Sequence, residues 1–252
     1  MELDTGAAVS CVPESVYKQK LKNIDLNSTH LKLKTYSGQA DNLEDYLENF
    51  SDLFKNELGV IKGEEVNLEL IDKDVKPVFH KPIPIPHAFK EKVDEELRKL
   101  EREGVITKVE SSKWGTPLVP VIKDNGKLRL CANYKITVNK YIKDVNHPLP
   151  RIDDIFSALQ GGEKFTKLDL RNAFNQLLLD NSTGELLAWS TSKLNRLPYG
   201  TKPASSIFQA KMEKILLGAN GVVNFIDDVL VTGCNDEDHL NNLKEVLKRL
   251  KE

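Results

Sequence analysis

The eleven residues KPVFHKPIPIP, at 76–86, constrain this chain more than any other stretch, because four of them are prolines. Pro77, Pro82, Pro84 and Pro86 each fix φ at about −65° and remove a backbone donor, and each pushes the preceding residue out of the helical region. The stretch therefore reads as an extended strap and as the main boundary of the chain. Charge changes across it. Up to residue 75 there are 8 Lys and Arg against 15 Asp and Glu; beyond it there are 28 against 23. So small a basic excess fits a polyanionic partner and an ordinary solvated surface equally well.

Apolar periodicity then assigns the elements. Residues 41–58, DNLEDYLENFSDLFKNEL, place Leu43, Tyr46, Leu47, Phe50, Leu53 and Phe54 at helical spacing, so 40–75 reads as an acidic helical linker. After Pro86 the pattern is one continuous α+β unit. HAFKEKVDEELRKLEREG predicts a helix stopped by Gly104, and GTPLVPVIKDNGKLRLCANY a hairpin turned at Asn125-Gly126. PRIDDIFSALQGG predicts a helix, KFTKLDL a strand, ELLAWST another strand, and KPASSIFQAKMEKILLG a helix begun at a proline. GVVNFIDDVLVTG predicts a second hairpin, and DEDHLNNLKEVLKRLKE a helix with acids in its first turn and bases in its last. No apolar run approaches the about 18 residues of a membrane span, and no signal segment opens the chain, so an intracellular protein without a membrane partner is expected. Cys11, Cys131 and Cys234 stand far apart without a CxxC, which predicts reduced thiols rather than a disulfide framework or a zinc site.

The chemistry concentrates in three acids. Asp227 and Asp228 sit side by side between two apolar runs, where each raises the cost of ionising the other. Asp169 ends an apolar strand, an expensive place for a charge that nothing positive meets. Two readings stay open: a turn and a cap, or three carboxylates gathered at one sheet edge around a divalent cation. Oxygen-only ligands suit Mg²⁺, and such a site performs phosphoryl transfer.

KLDLRNAFNQL, NRLPYGTKPASSIFQ and FIDDVLVTG, in that order, resemble the palm motifs of reverse transcriptases from Gypsy-class long-terminal-repeat retrotransposons. EGVITKVESSKWGTPLVPVIKDNGKLRLCANYK and HPLPRIDDIFSALQGGEKFTKLDL resemble that family's fingers and the approach to its palm. The resemblance implies a right-hand polymerase fold over 76–252: fingers and palm, with an antiparallel palm sheet flanked by helices and no thumb. It implies RNA-directed DNA polymerase activity on a primed RNA or DNA template with a dNTP. Asp169, the carbonyl of Leu170, Asp227 and Asp228 would hold two Mg²⁺ ions, with the three aspartates catalytic. Lys123 and Arg129 would meet the triphosphate, Phe174 would lie under the sugar and exclude a 2′-hydroxyl, and Tyr199 and Gly200 would form the strip under the nucleotide. Gln209 would belong to the same nucleotide-binding group, on the helix behind that strip.

A second resemblance opens the chain. LDTGAAVSCV looks like the active-site loop of a retropepsin-type aspartic protease, with Asp4 as its acid, and LKTYSG at 33–38 looks like its flap. The rest of that fold is missing, so 1–39 reads as a small β-rich protease remnant. Other departures are a shortened turn around residues 193–195, before Tyr199, and Asn133 where the polymerase family has an acid. The rival readings are a catalytically dead nucleic-acid-binding relic of the same element and an aspartic protease acting through Asp4; the sequence leaves the oligomeric state open.

Overall fold

The computed structural model describes residues 48–55, 57–63, 65–122 and 128–252. In chain order its main elements are helix α1 (His87–Arg102), strands β1 (Ile106–Lys108), β2 (Leu118–Ile122) and β3 (Leu128–Ala132), and helix α2 (Ile152–Ala158). Strand β4 (Lys164–Asp169), helix α3 (Asn181–Leu186), strand β5 (Ser192–Leu194) and helix α4 (Ala204–Leu216) follow. Strands β6 (Val222–Phe225) and β7 (Asp228–Gly233) and helix α5 (Asp236–Lys251) close the order. Among the described residues it is a mixed α/β fold whose three sheets pair antiparallel.

One unit comprises the described residues up to Glu57, His147–Ala173 and Gln209–Glu252. Its sheet has the order β4-β7-β6, so the last strand lies between the other two. β7 carries Val229 and Val231 inward at 0% exposure, and β4 contributes Thr166 and Leu168 to the same buried side. Period-two alternation leaves Phe165, Lys167 and Asp169 on the opposite face. Helix α5 packs along β7 and β4 with Leu243, Val246, Leu247 and Leu250 buried. It starts at Asn235, whose side chain accepts from the Asp238 amide at 2.9 Å, and carries acids in its first turn and bases in its last, as the helix dipole favours. His239, on the same helix, is buried and shares a 2.9 Å hydrogen bond with the Thr166 hydroxyl.

The other unit comprises Leu58–Asn146 and Phe174–Phe208. α1 keeps the predicted span, with Gly104 at φ +67 providing its stop. β2 pairs with β3 from Leu118↔Ala132 to Ile122↔Leu128; the Asn125-Gly126 turn lies outside the described residues. β1 pairs with β5, placing Ile106 against Leu194. In the core the Trp189 indole donates to the Tyr134 hydroxyl at 3.0 Å, and that hydroxyl donates to the Leu187 carbonyl at 3.0 Å. Tyr134 is 1% exposed, and burial pushes its phenol far above the ordinary tyrosine range. Trp114 packs on Tyr141 in the same unit.

One expectation is corrected. ELLAWST is not a strand: Asp180 caps α3 by accepting from the Thr183 amide at 2.7 Å, so Glu185 and Leu186 finish a helix and the strand begins only at Ser192. The cap and the burial of Leu186, Leu187 and Ala188 outweigh the strand preference of a Trp- and Thr-containing run. Of the 40–75 stretch, residues 40–47, 56 and 64 lie outside the described residues, and Glu48 is helical. Ser51–Phe54 form a single 3-10 turn. Residues 58–75 hold no helix among those described and are tied into their unit, with the Val66 amide donating to Leu178 O at 2.8 Å and Ile61, Val66 and Leu68 buried.

Candidate functional site

Sheet register brings the three acids to one end of the β4-β7-β6 sheet. Asp169 is the last residue of β4 and pairs directly with Asp228, the first residue of β7. Phe225 ends β6 opposite the same Asp228, leaving a two-residue loop of Ile226 and Asp227. The Leu170 amide donates to the Asp227 carbonyl at 2.9 Å, which carries the β4 ladder one residue past Asp169. Like charges directly opposite one another in a sheet are destabilising, so the Asp169–Asp228 pair calls for a positive partner.

Lys167 is one such partner. It lies two residues before Asp169 on the same face of β4, and its ammonium stands 2.8 Å from the Asp228 carboxylate, with both side chains about 30% exposed (30% and 32%). The hydrogen bond to Asp228 holds this lysine above the usual lysine range, and the charges of Asp228, Asp169 and Asp227 add to the effect while burial opposes it. A single ammonium thus feels all three carboxylates. The donors at this edge are all oxygens, the chemistry that a hard divalent cation such as Mg²⁺ selects, so the residues fit such an ion. Among the described residues no three Asp, Glu, His or Cys side chains already form a ligand cage.

The loop is held from behind. Ile226 has φ +56, the first-position geometry of a tight hairpin loop that ordinarily takes glycine. For a β-branched residue this costs on the order of 1–3 kcal/mol. Gln209, on α4, offsets it: its side-chain oxygen accepts from the Ile226 amide at 2.8 Å, and its amide donates to the Asn224 carbonyl at 3.0 Å. The same amide donates to Glu213 at 2.8 Å, and the other Glu213 oxygen lies 2.8 Å from His147 Nε2. Gln209 is 0% exposed and its polar atoms are committed to protein. These bonds place Gln209 behind the loop that carries Asp227.

Arg129, Phe174, Tyr199 and Gly200 lie in the other unit. The Arg129 guanidinium stands 4.6 Å from the centre of the Tyr199 ring, an arrangement favoured by the ring quadrupole. Tyr199 packs on Phe174 at 4.8 Å between centroids, and Phe174 meets Phe208 edge-on at 5.5 Å. Phe174 is 8% exposed, so most of its surface serves this column. Gly200 is exposed with φ +91, and its carbonyl accepts from the Asn139 side chain at 2.9 Å. The shortened turn still delivers the chain to Tyr199: the Asn195 amide donates to Val105 O and the Leu197 amide to Leu177 O, both at 2.9 Å. A cleft of about 1270 Å³ in this unit, with Trp114, Lys143 and Lys193 among its walls, contains none of the candidate residues. Lys123 and Asp4 lie outside the described residues.

Known proteins resemble this chain in sequence and in fold. The family described as Reverse transcriptase (RNA-dependent DNA polymerase) matches residues 121–252, just over half of the chain. The uncharacterized protein K02A2.6 of Caenorhabditis elegans is 35% identical over 228 residues, which is 88% of this chain and 18% of that protein. The retrovirus-related Pol polyprotein from transposon 412 of Drosophila melanogaster is 31% identical, over 81% of this chain and 19% of its own length. The transposon Tf2-3 polyprotein of Schizosaccharomyces pombe is 30% identical, over 76% and 15%. This chain therefore spans less than a fifth of each of these relatives. Among solved structures, the prototype foamy virus protease-reverse transcriptase matches with a TM-score of 0.74 at 24% identity, covering 83% of this chain and 29% of that one. The foamy viral enzyme in complex with RNA/DNA hybrid also matches at 0.74, with 22% identity and the same coverage. The chain belongs to the reverse transcriptase family, in the Gypsy-like branch whose members are encoded in retrotransposon polyproteins.

Proposed function

We propose that this chain is the fingers and palm of a retrotransposon RNA-directed DNA polymerase, and that Asp169, Asp227 and Asp228, with the Leu170 carbonyl, hold two Mg²⁺ ions. The observation that carries this reading is the cross-strand pairing of Asp169 with Asp228, with Asp227 in the adjoining loop. Family membership supplies the prior for the reaction. In that reaction the primer 3′-hydroxyl oxygen bonds to the α-phosphorus of a dNTP, the bond to pyrophosphate breaks, and the hydroxyl proton leaves. Bound divalent ions would acidify the hydroxyl and neutralise the departing pyrophosphate. Within the carboxylate-bearing unit the chain's own part is positional: β4 and β7 set the carboxylate spacing and Gln209 fixes the loop. Family resemblance alone supports roles for Arg129 at the triphosphate, Phe174 at the sugar and Gly200 under the base.

Residues 58–75 share a unit with α1 and β1–β3, which supports starting the polymerase part at about residue 58 rather than 76. Residues 1–39 are assigned to a protease remnant on their sequence alone. A primed RNA or DNA template is the expected partner. The test is extension of a DNA primer on an RNA template by the full chain with Mg²⁺, in parallel with Asp227→Asn. Extension that disappears in the variant supports the reading; equal extension by both rejects the role of Asp227, and none by the wild type rejects catalysis in favour of a non-catalytic relic.

A further inference from the structure

We propose that Lys167 is a tethered cation that occupies the carboxylate edge when no divalent ion is bound, and that it is displaced from Asp228 as the ion enters. The inference rests on the reading of Asp169, Asp227 and Asp228 as a metal site and adds a residue to it.

Register makes the contact possible. Lys167 pairs with Leu230, and Asp169 pairs with Asp228, so Lys167 and Asp228 are diagonal neighbours on one face of the sheet. Diagonal Cα separations of about 7–8 Å are within reach of a long side chain, and the ammonium closes to 2.8 Å from the Asp228 carboxylate. The strand alternation that directs Thr166 and Leu168 into the core directs Lys167 outward beside Asp169. An arginine would tend to fix the carboxylate as a planar two-point pair, whereas lysine offers a compact point charge on a flexible stem, which can let go.

Two consequences follow from charge alone. Without a divalent ion, the ammonium reduces repulsion among three carboxylates and favours the folded sheet edge. With an ion present, the same ammonium competes for Asp228 and repels the incoming cation. Lys167 therefore weakens metal affinity while stabilising the metal-free protein, and it keeps the site from loading irreversibly.

The experiment titrates Mn²⁺ alone into the full chain, followed by electron paramagnetic resonance of free Mn²⁺, and records melting by circular dichroism with and without the ion. Lys167→Met is expected to bind Mn²⁺ about fivefold more tightly than wild type, the scale of one partly exposed ion pair. It should also melt at lower temperature without metal, a deficit that saturating Mn²⁺ closes. Lys167→Arg, which keeps the charge, should bind no more tightly than wild type, and Lys167→Gln repeats the charge deletion with a polar side chain. Equal or weaker Mn²⁺ binding by folded Lys167→Met or Lys167→Gln overturns the proposal and leaves the metal site standing. No Mn²⁺ binding by wild type, or binding unchanged in Asp228→Asn, overturns the metal reading itself.

Discussion

Replacing Gln209 with leucine isolates the support of the Ile226–Asp227 loop. The two side chains are close in volume, so the core around residue 209 stays filled while three hydrogen bonds vanish. The Ile226 amide and the Asn224 carbonyl lose their side-chain partner, and each unsatisfied buried group costs about 1–3 kcal/mol. Part of that is recovered by water at the exposed end of the hairpin, so a net loss of about 2–4 kcal/mol is expected. At about 2–4 °C per kcal/mol for a chain of this size, the melting midpoint falls by roughly 4–16 °C in far-ultraviolet circular dichroism. Without its clamp the loop relaxes away from φ +56 and carries Asp227 with it, so Mn²⁺ affinity falls as well. Ile226→Gly supplies the second arm of a double-mutant cycle. Glycine adopts positive φ freely, so Gln209→Leu should cost about 1 kcal/mol less in that background than in wild type. Unchanged melting and unchanged Mn²⁺ binding in Gln209→Leu, or strict additivity with Ile226→Gly, refutes the clamp.

Other substitutions probe the same structure. Gly200→Ala meets only ordinary contacts, the nearest being Ala132 O at 3.6 Å, so its cost is backbone strain at φ +91, about 1–2 kcal/mol in chemical denaturation. Phe174→Ala should destabilise by about 3–5 kcal/mol, since it empties the space between Tyr199 and Phe208; Phe174→Val keeps more of the core and, on the polymerase reading, should raise ribonucleotide incorporation in a primer-extension assay. Burial depresses the pKa of His239 below its ordinary value of 6.5, so the stability tied to its neutral form is complete above that pH. That stability is lost as pH falls through the depressed folded value. A Gln at position 239 should flatten this acid limb in denaturant titrations at several pH values.

The acids and most elements were legible because each rests on local pattern. Asn224–Gly233 alternates so strongly around an acidic loop that the hairpin follows from residue types, and the pairing of β4 with β7 follows once Asp169 needs company. What escaped depends on partners distant in sequence. Lys167 reads as an ordinary solvated strand charge until the register sets it diagonally across from Asp228. The hydrogen bonds of Gln209 to the β6–β7 loop become visible only once α4 packs beneath that loop. Positive φ at Ile226 contradicts the preference of its own side chain, so no single-residue propensity reveals it. The ties of Ile61, Val66 and Ile71 run to Gln176, Leu178 and Tyr141, at least 70 positions further along the chain, where no local pattern reveals them.

Both tryptophans, Trp114 and Trp189, belong to the unit formed by Leu58–Asn146 and Phe174–Phe208. Emission excited at the red edge of the indole band therefore watches that unit alone, and the sheet bearing Asp169, Asp227 and Asp228 is dark to it. A fluorescence melt overlaid on a circular dichroism melt of the same sample thus separates cooperative unfolding of the whole chain from independent loss of the carboxylate-bearing unit, without any added label.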